Sequence, residues 1–197
     1  ASLPKLQSGS FYGASGELFH GSAHFNHDIV SGTNIQGLKA ADYNTAISLL
    51  GNKDEYRFNV ITAPGLTAQD ASSQVTSLVN LAIARTDCLT VIDLVRYGST
   101  TANVIEKASS QNSSYAAAYW PWGQVVDPGT GKLVWVPAST LIPGVYAFTD
   151  ASSDSWFAPA GLTRGGLDSV VKVERKLPTS TRDSLYDSNI NPLATFP

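Results

Sequence analysis

Three histidines and an aspartate, His20, His24, His27 and Asp28, fall close together near the start of the chain. Imidazole and carboxylate are the ligands of zinc-type metals, and the H-x3-H-x2-H spacing would suit one side of a helix. Gly21 and Ser22 between them are poor helix formers, and no fourth ligand follows at a motif spacing. An exposed loop carrying polar histidines is therefore expected there, and no metal site is assigned. Cys88 is the only cysteine. A nucleophilic thiolate needs a neighbouring base and a positive field. Cys88 instead opens the apolar run Cys88-Leu-Thr-Val-Ile-Asp-Leu-Val95, where a lone thiol packs as a small hydrophobe. Asp93, near the end of that run, stands where parallel strands present metal-binding acids. It has no partner acid at a supporting spacing, which favours a solvated or hydrogen-bonded strand-end carboxylate. Ala63-Pro64-Gly65 lies where a nucleotide-binding loop would lie, but Pro64 removes one backbone donor to a phosphate. Neither G-x-G-x-x-G nor G-x-x-x-x-G-K-[ST] occurs, and the nucleophile elbow G-x-S-x-G is absent as well. No residue is assigned a catalytic, cofactor-binding or metal-binding role.

The elements that would position these groups have a regular order from residue 40 onward. Tyr43, Ala46, Ile47 and Leu50 share the i, i+3, i+4, i+7 face of a helix over 40–50, closed by Gly51-Asn52. Arg57 to Ala63 reads as a buried strand ended by Pro64-Gly65. Thr67-Ala-Gln-Asp70 has the form of a helix start, with a hydroxyl acceptor and an acid at the positive end. The helix that follows would bury Val75, Leu78, Val79, Ala82 and Ile83 and run to about Thr86. Cys88 to Val95 is apolar and β-branched, as a strand covered on both faces should be. Gly98-Ser-Thr-Thr101 leads into a helix through Ala108, and a polar loop at 109–114 precedes a third strand over 115–120. This alternation predicts an α/β fold with a mostly parallel sheet flanked by helices and right-handed crossovers.

Beyond Trp122 the pattern changes. Val125-Val126, the loop Asp127-Pro-Gly-Thr-Gly131 and Leu133 to Val136 form a strong hairpin signal. Ser139 is placed to cap a helix reaching Phe148, which Pro143 should either kink or start. Leu167 to Val173 reads as a strand and Thr179 to Asp183 as a turn into a short helix. The run Lys172-Val-Glu-Arg-Lys176 reads as a solvated patch of mixed sign. All four tryptophans lie between Tyr115 and Pro159, so an aromatic structural centre is expected there, with no acid, base or nucleophile in its middle. Residues 1–38, rich in Gly, Ser and Asn, are expected to be irregular β structure or loop.

The chain has 197 residues and a formal net charge of -3, which argues against nucleic-acid binding because no basic stripe stands out. No run approaches the roughly 18 consecutive apolar residues of a membrane span. The first residues show no basic-then-apolar secretory pattern, and a single cysteine fits a reducing compartment such as a cytoplasm.

An ordered set of short segments then suggests a family. Phe58-Asn-Val-Ile-Thr-Ala-Pro-Gly65, Ala84-Arg85, Val91-Ile-Asp93, Tyr115-Ala-Ala-Ala-Tyr-Trp-Pro-Trp122, Val136-Pro-Ala-Ser139, Pro143-Gly-Val-Tyr146, Asp150, Trp156-Phe-Ala-Pro-Ala160 and Asn189-Ile-Asn-Pro192 occur in that order. Together they resemble the contractile tail sheath proteins of tailed bacteriophages, the T-even type above all. The resemblance implies a structural, non-enzymatic subunit that polymerises around a tail tube and contracts to drive the tube through the host envelope. It implies copies of itself, the tail tube protein, and baseplate and tail terminator proteins as partners, with no nucleic acid and no membrane. It also implies a place in the virion and assembly in the host cytoplasm. On this reading residues 39–197 are an α/β sheath core domain cut short at its C-terminus. Residues 1–38 would be the remnant of an outward-facing variable domain, and the piece alone would be monomeric. The alternative is a Rossmann-like enzyme or nucleotide-binding domain with an unmarked site near Asp93 and Ala63-Pro-Gly65.

Overall fold

A computed structural model of the chain describes residues 40–154 and 156–196. His20, His24, His27 and Asp28, with the whole segment 1–38, lie outside the described residues. In chain order the elements are α1 (Ala40–Leu49), β1 (Val60–Thr67), α2 (Ser72–Arg85), β2 (Leu89–Asp93), α3 (Thr101–Ser109) and β3 (Ala116–Trp120). They continue as β4 (Gly123–Val126), β5 (Leu133–Val136), α4 (Ala138–Ser152), α5 (Gly161–Arg164), β6 (Val170–Val173), α6 (Thr179–Asp187) and β7 (Asn191–Pro192). Two sheets result. One is four-stranded and parallel in the order β1-β2-β3-β7. The other is three-stranded and antiparallel in the order β5-β4-β6. The expected α/β class, parallel sheet and added hairpin are all present.

The run Leu89–Asp93 is central because both of its faces are covered. On one side Ile92 packs in a cluster with Val75 and Val79 of α2 and Val104 of α3. On the other Val91 packs with Ala138 and Ile142 of α4. A strand buried twice can dispense with polar alternation, which is why its sequence is nearly all apolar. Thr90, fully buried, satisfies its hydroxyl by donating to the Ile61 carbonyl at 3.2 Å.

Several boundaries differ from expectation, each for a local reason. The first strand begins at Val60 and runs through Pro64-Gly65 to Thr67. Proline is tolerated because β1 is an edge strand, and its register with β2 breaks between Thr62 and Thr67. Thr67 and Asp70 do bond each other, the Asp70 amide donating to the Thr67 hydroxyl at 3.2 Å, but they form a turn ahead of α2. The amides of Ala68 and Gln69 are held by the carbonyls of Asp93 (2.8 Å) and Leu94 (3.0 Å), so the helix cannot start before Ser72. Ile83 faces outward. On α1 only Ile47 of the expected stripe is buried, against Leu78 and Leu81, while Ala46 is exposed. Pro143 sits inside an unbroken α4, whose N-cap is Pro137 rather than Ser139. β6 begins at Val170. β7 was not expected at all. It is two residues long and pairs with Tyr119 and Trp120 of β3, helped by a bond from the Leu193 amide to the Trp120 carbonyl at 2.7 Å.

The aromatic centre is real in part. Trp120 is 2 % exposed, and Trp122 and Trp135 are half-buried around Tyr97, whose ring lies 6.2 Å and 5.0 Å from theirs. Trp156 departs from that expectation, being 76 % exposed and stacked on Phe157 at 4.2 Å.

Candidate functional site

The carboxyl end of β2 gathers the residues that the sequence placed at a possible ligand site. Asp93 is 4 % exposed. Its carboxylate accepts from the Ser139 amide at 3.2 Å and from the Ser139 hydroxyl at 2.5 Å. The Gly65 amide donates to it as well. Gly65 has a φ of 91°, a left-handed conformation that suits glycine, and it lies where the ladder between β1 and β2 is interrupted. That break frees its amide to turn toward Asp93. Ser139 is the second residue of α4, so Asp93 supplies from another strand the acceptor that an N-cap side chain would supply locally. Burial without a facing cation pushes the Asp93 carboxyl up to about 6, against the opposing pull of the Ser139 and Gly65 donors.

The strand-end carboxylate is thus hydrogen-bonded rather than solvated, and Ala63-Pro64-Gly65 is strand and bulge rather than a phosphate loop. The structure brings Asp93 and Gly65 together, as a ligand site would require, but the Asp93 carboxylate is taken up by the Gly65 amide and by Ser139. Among the described residues no group of three or more His, Cys, Asp or Glu side chains is arranged to hold a metal ion. Cys88 is buried, and burial raises its thiol above the ordinary range.

Two further junctions went unforeseen. Arg85 is 1 % exposed, with its guanidinium donating to the carbonyls of Leu50 (2.6 Å) and Tyr56 (2.8 Å) and to the carboxylate of Asp87. It also lies over the Phe58 ring at 4.2 Å, and Lys53 donates to its carbonyl oxygen. This cation ties the α1–β1 connection to the end of α2, and its bond to Asp87 holds that carboxyl below the usual range. The signal was present in the sequence, because Arg85 occupies the i+7 position of the buried stripe Leu78, Leu81, Ala82.

Glu174 is the second. Its carboxylate accepts from the Gly98 amide at 2.7 Å and the Trp122 amide at 3.3 Å. Burial raises its pKa from the ordinary value, so the run 172–176 is not simply a solvated patch. Arg96 and Asp70 form an ion pair, and the Trp122 indole donates to the Val95 carbonyl at 3.1 Å.

The outer surface contrasts with these closed junctions. A groove of about 390 Å³ runs past Leu162, Leu167, Val170, Leu193 and Phe196, with Arg182 the charged residue in its lining. Phe148, Trp156 and Leu162 are exposed, Leu162 at 80 %. No helix among the described residues is long and apolar enough to cross a membrane.

A parallel α/β layer with an appended antiparallel sheet, its polar residues spent on internal joints, defines the class of module. A family model of the phage tail sheath protein central domain matches residues 36–197, and the chain belongs to that family. It is similar to the tail sheath protein of Enterobacteria phage T4, 29% identical over a 146-residue alignment, with 66% of this chain and 22% of that protein covered. It is also similar to the tail sheath protein of Vibrio phage KVP40, 25% identical over a 182-residue alignment, with 80% of this chain and 27% of that protein covered. The chain therefore spans about a quarter of the length of these relatives.

Proposed function

We propose that this chain is the central building block of a contractile phage tail sheath subunit. In the whole protein it assembles with copies of itself around the tail tube, and contraction drives the tube through the host envelope for genome ejection. The observation that carries this reading is membership of the sheath central domain family over residues 36–197. Buried, internally consumed polar groups and large exposed apolar side chains support it, because an assembling subunit needs rigidity within and contact area without.

On the same reading the subunit is not an enzyme. It contacts the tail tube, baseplate and tail terminator proteins and resides in the virion after assembly in the host cytoplasm. Residues 1–38 belong to an outward-facing variable region, residues 39–197 form the core domain, and this piece by itself is monomeric. The Rossmann-like enzyme reading loses the site it needs, since the Asp93 carboxylate is already taken up by Gly65 and Ser139.

Immunogold electron microscopy tests the proposal, with antibodies to this chain applied to phage whose genome encodes it. Regular decoration along the outer wall of extended and contracted tails is expected. Gold confined to capsids or baseplates would refute it.

A further inference from the structure

We infer that the apolar groove beside α5 and α6 is a docking seat for a linear segment of another polypeptide, one that carries a carboxylate among apolar side chains. The groove, about 390 Å³, falls in the range of roughly 300–1,000 Å³ in which proteins seat ligands. Its walls come from separate parts of the chain: Leu162 and Leu167 in and after α5, Val170 and Val173 of β6, and Leu193 and Phe196 after β7. The one charged residue in the lining is Arg182 of α6. It is half-buried, donates to the Thr179 hydroxyl at 3.1 Å and lies 5.2 Å from the Phe196 ring centre. Arg85 and Arg96 are each paired with an aspartate, whereas among the described residues no carboxylate pairs with Arg182. A guanidinium fork binds a carboxylate through two parallel bonds, and such charge-assisted bonds are the stronger kind. The complement of this groove is therefore an acid flanked by apolar groups.

The surface around the groove selects a polypeptide over a free amphipathic acid. The Thr149 hydroxyl donates to the Arg164 carbonyl at 3.2 Å, which ties the end of α4 to α5. The Arg164 guanidinium lies 4.6 Å from the Phe157 ring centre and donates to the Ala158 carbonyl at 3.3 Å, and Phe157 stacks on Trp156. These contacts hold the exposed Phe148 and Trp156 beside α5, where Leu162 is exposed as well. The apolar surface thus continues past the groove. A small acid would cover the groove alone, while a polypeptide covers both, and contiguous exposed apolar surface of this kind marks protein contacts. The seat stands on this geometry whether or not the chain is a sheath subunit.

Fluorescence-anisotropy titration of the 197-residue chain tests the inference. The probes are two short dye-labelled peptides of valine, leucine and serine, one with a central aspartate and one with a central lysine. The aspartate peptide should bind saturably and about tenfold more tightly than the lysine peptide. R182E should reverse that preference. L162S alters an exposed side chain on which folding does not depend, and it should weaken both peptides alike. L133S, on the exposed β4–β5 hairpin, should weaken neither. Equal affinity for the two peptides, no saturable binding up to about 1 mM, or a loss in L133S that matches L162S would overturn the seat. Displacement of the peptide by decanoate at equal concentration would assign the groove to a free acid and overturn the polypeptide. Binding that disappears when the chain is extended to the length of its relatives would mean that its own polypeptide fills the groove, and would overturn the partner.

Discussion

The parallel and antiparallel sheets of this domain are built from similarly apolar strands but are stabilised in opposite ways. In the parallel sheet Val91 and Ile92 each face a helix layer, and every residue of β2 after Leu89 is buried. In the antiparallel sheet Val126, Leu133, Val134 and Val171 are exposed. It packs closely at Gly123, where a methyl group would come within 2.8 Å of Leu141 of α4. One sheet is a core and the other is an arm rooted in it. Apolar composition alone does not distinguish them, because burial depends on what lies across the face.

The largest expected effect is at the root of the core. Trp120→Ala should cost about 3–5 kcal/mol in urea unfolding, as a fully buried aromatic is replaced by a cavity. A loss below 1 kcal/mol would show that the core tolerates collapse there and would blur the distinction. Arg85→Ala comes next at about 2–4 kcal/mol, since it leaves the Leu50 and Tyr56 carbonyls without their donor. Arg85→Lys should recover only part of that, because an ammonium cannot reproduce the planar fork.

Asp93 sharpens the comparison through pH. Its folded pKa of about 6 lies above the ordinary 3.8, so the native state binds the extra proton. Its favourable contribution is therefore full below about pH 4 and is lost as pH rises through 6. Wild type compared with Asp93→Asn should thus show a stability difference that changes by on the order of 2–3 kcal/mol between pH 4 and pH 7.5. A difference that stays flat over that range would mean that the joint with Ser139 offsets the cost of burying the charge. The smallest effect belongs to the arm. Leu133→Ala should change stability by no more than about 0.5 kcal/mol, and a loss of 2 kcal/mol would mean that the hairpin is part of the core after all.

The legible parts of this molecule were those with a local cause. Continuous apolar β-branched sequence marked β2, the Asp127-Pro-Gly-Thr-Gly131 loop marked the hairpin, and Thr100, which accepts from the Asn103 amide at 3.4 Å, starts α3 where the Gly98-Ser-Thr-Thr101 signal fell. Errors arose where a distant partner outbid the local preference. The Thr67–Asp70 motif formed its hydrogen bonds but not a helix end, since the amides beside it were taken by β2. Ser139 was placed as a cap and is instead the donor to one. β7 has too few residues to carry any periodicity, and the sheet edge of β3 alone makes it a strand.

By itself, then, the sequence determined the order and type of the main elements, the lack of known catalytic motifs, and a family resemblance spread over most of the chain. These follow from side-chain periodicity, turn chemistry and motif order, which act over a few residues at a time. Only the tertiary structure decided that Asp93 is a buried cap for α4, that Arg85 pins a loop, and that Glu174 accepts from the Gly98 and Trp122 amides. Each of those roles depends on groups tens of residues away in the chain, and a hydrogen bond between them has no signature in local spacing.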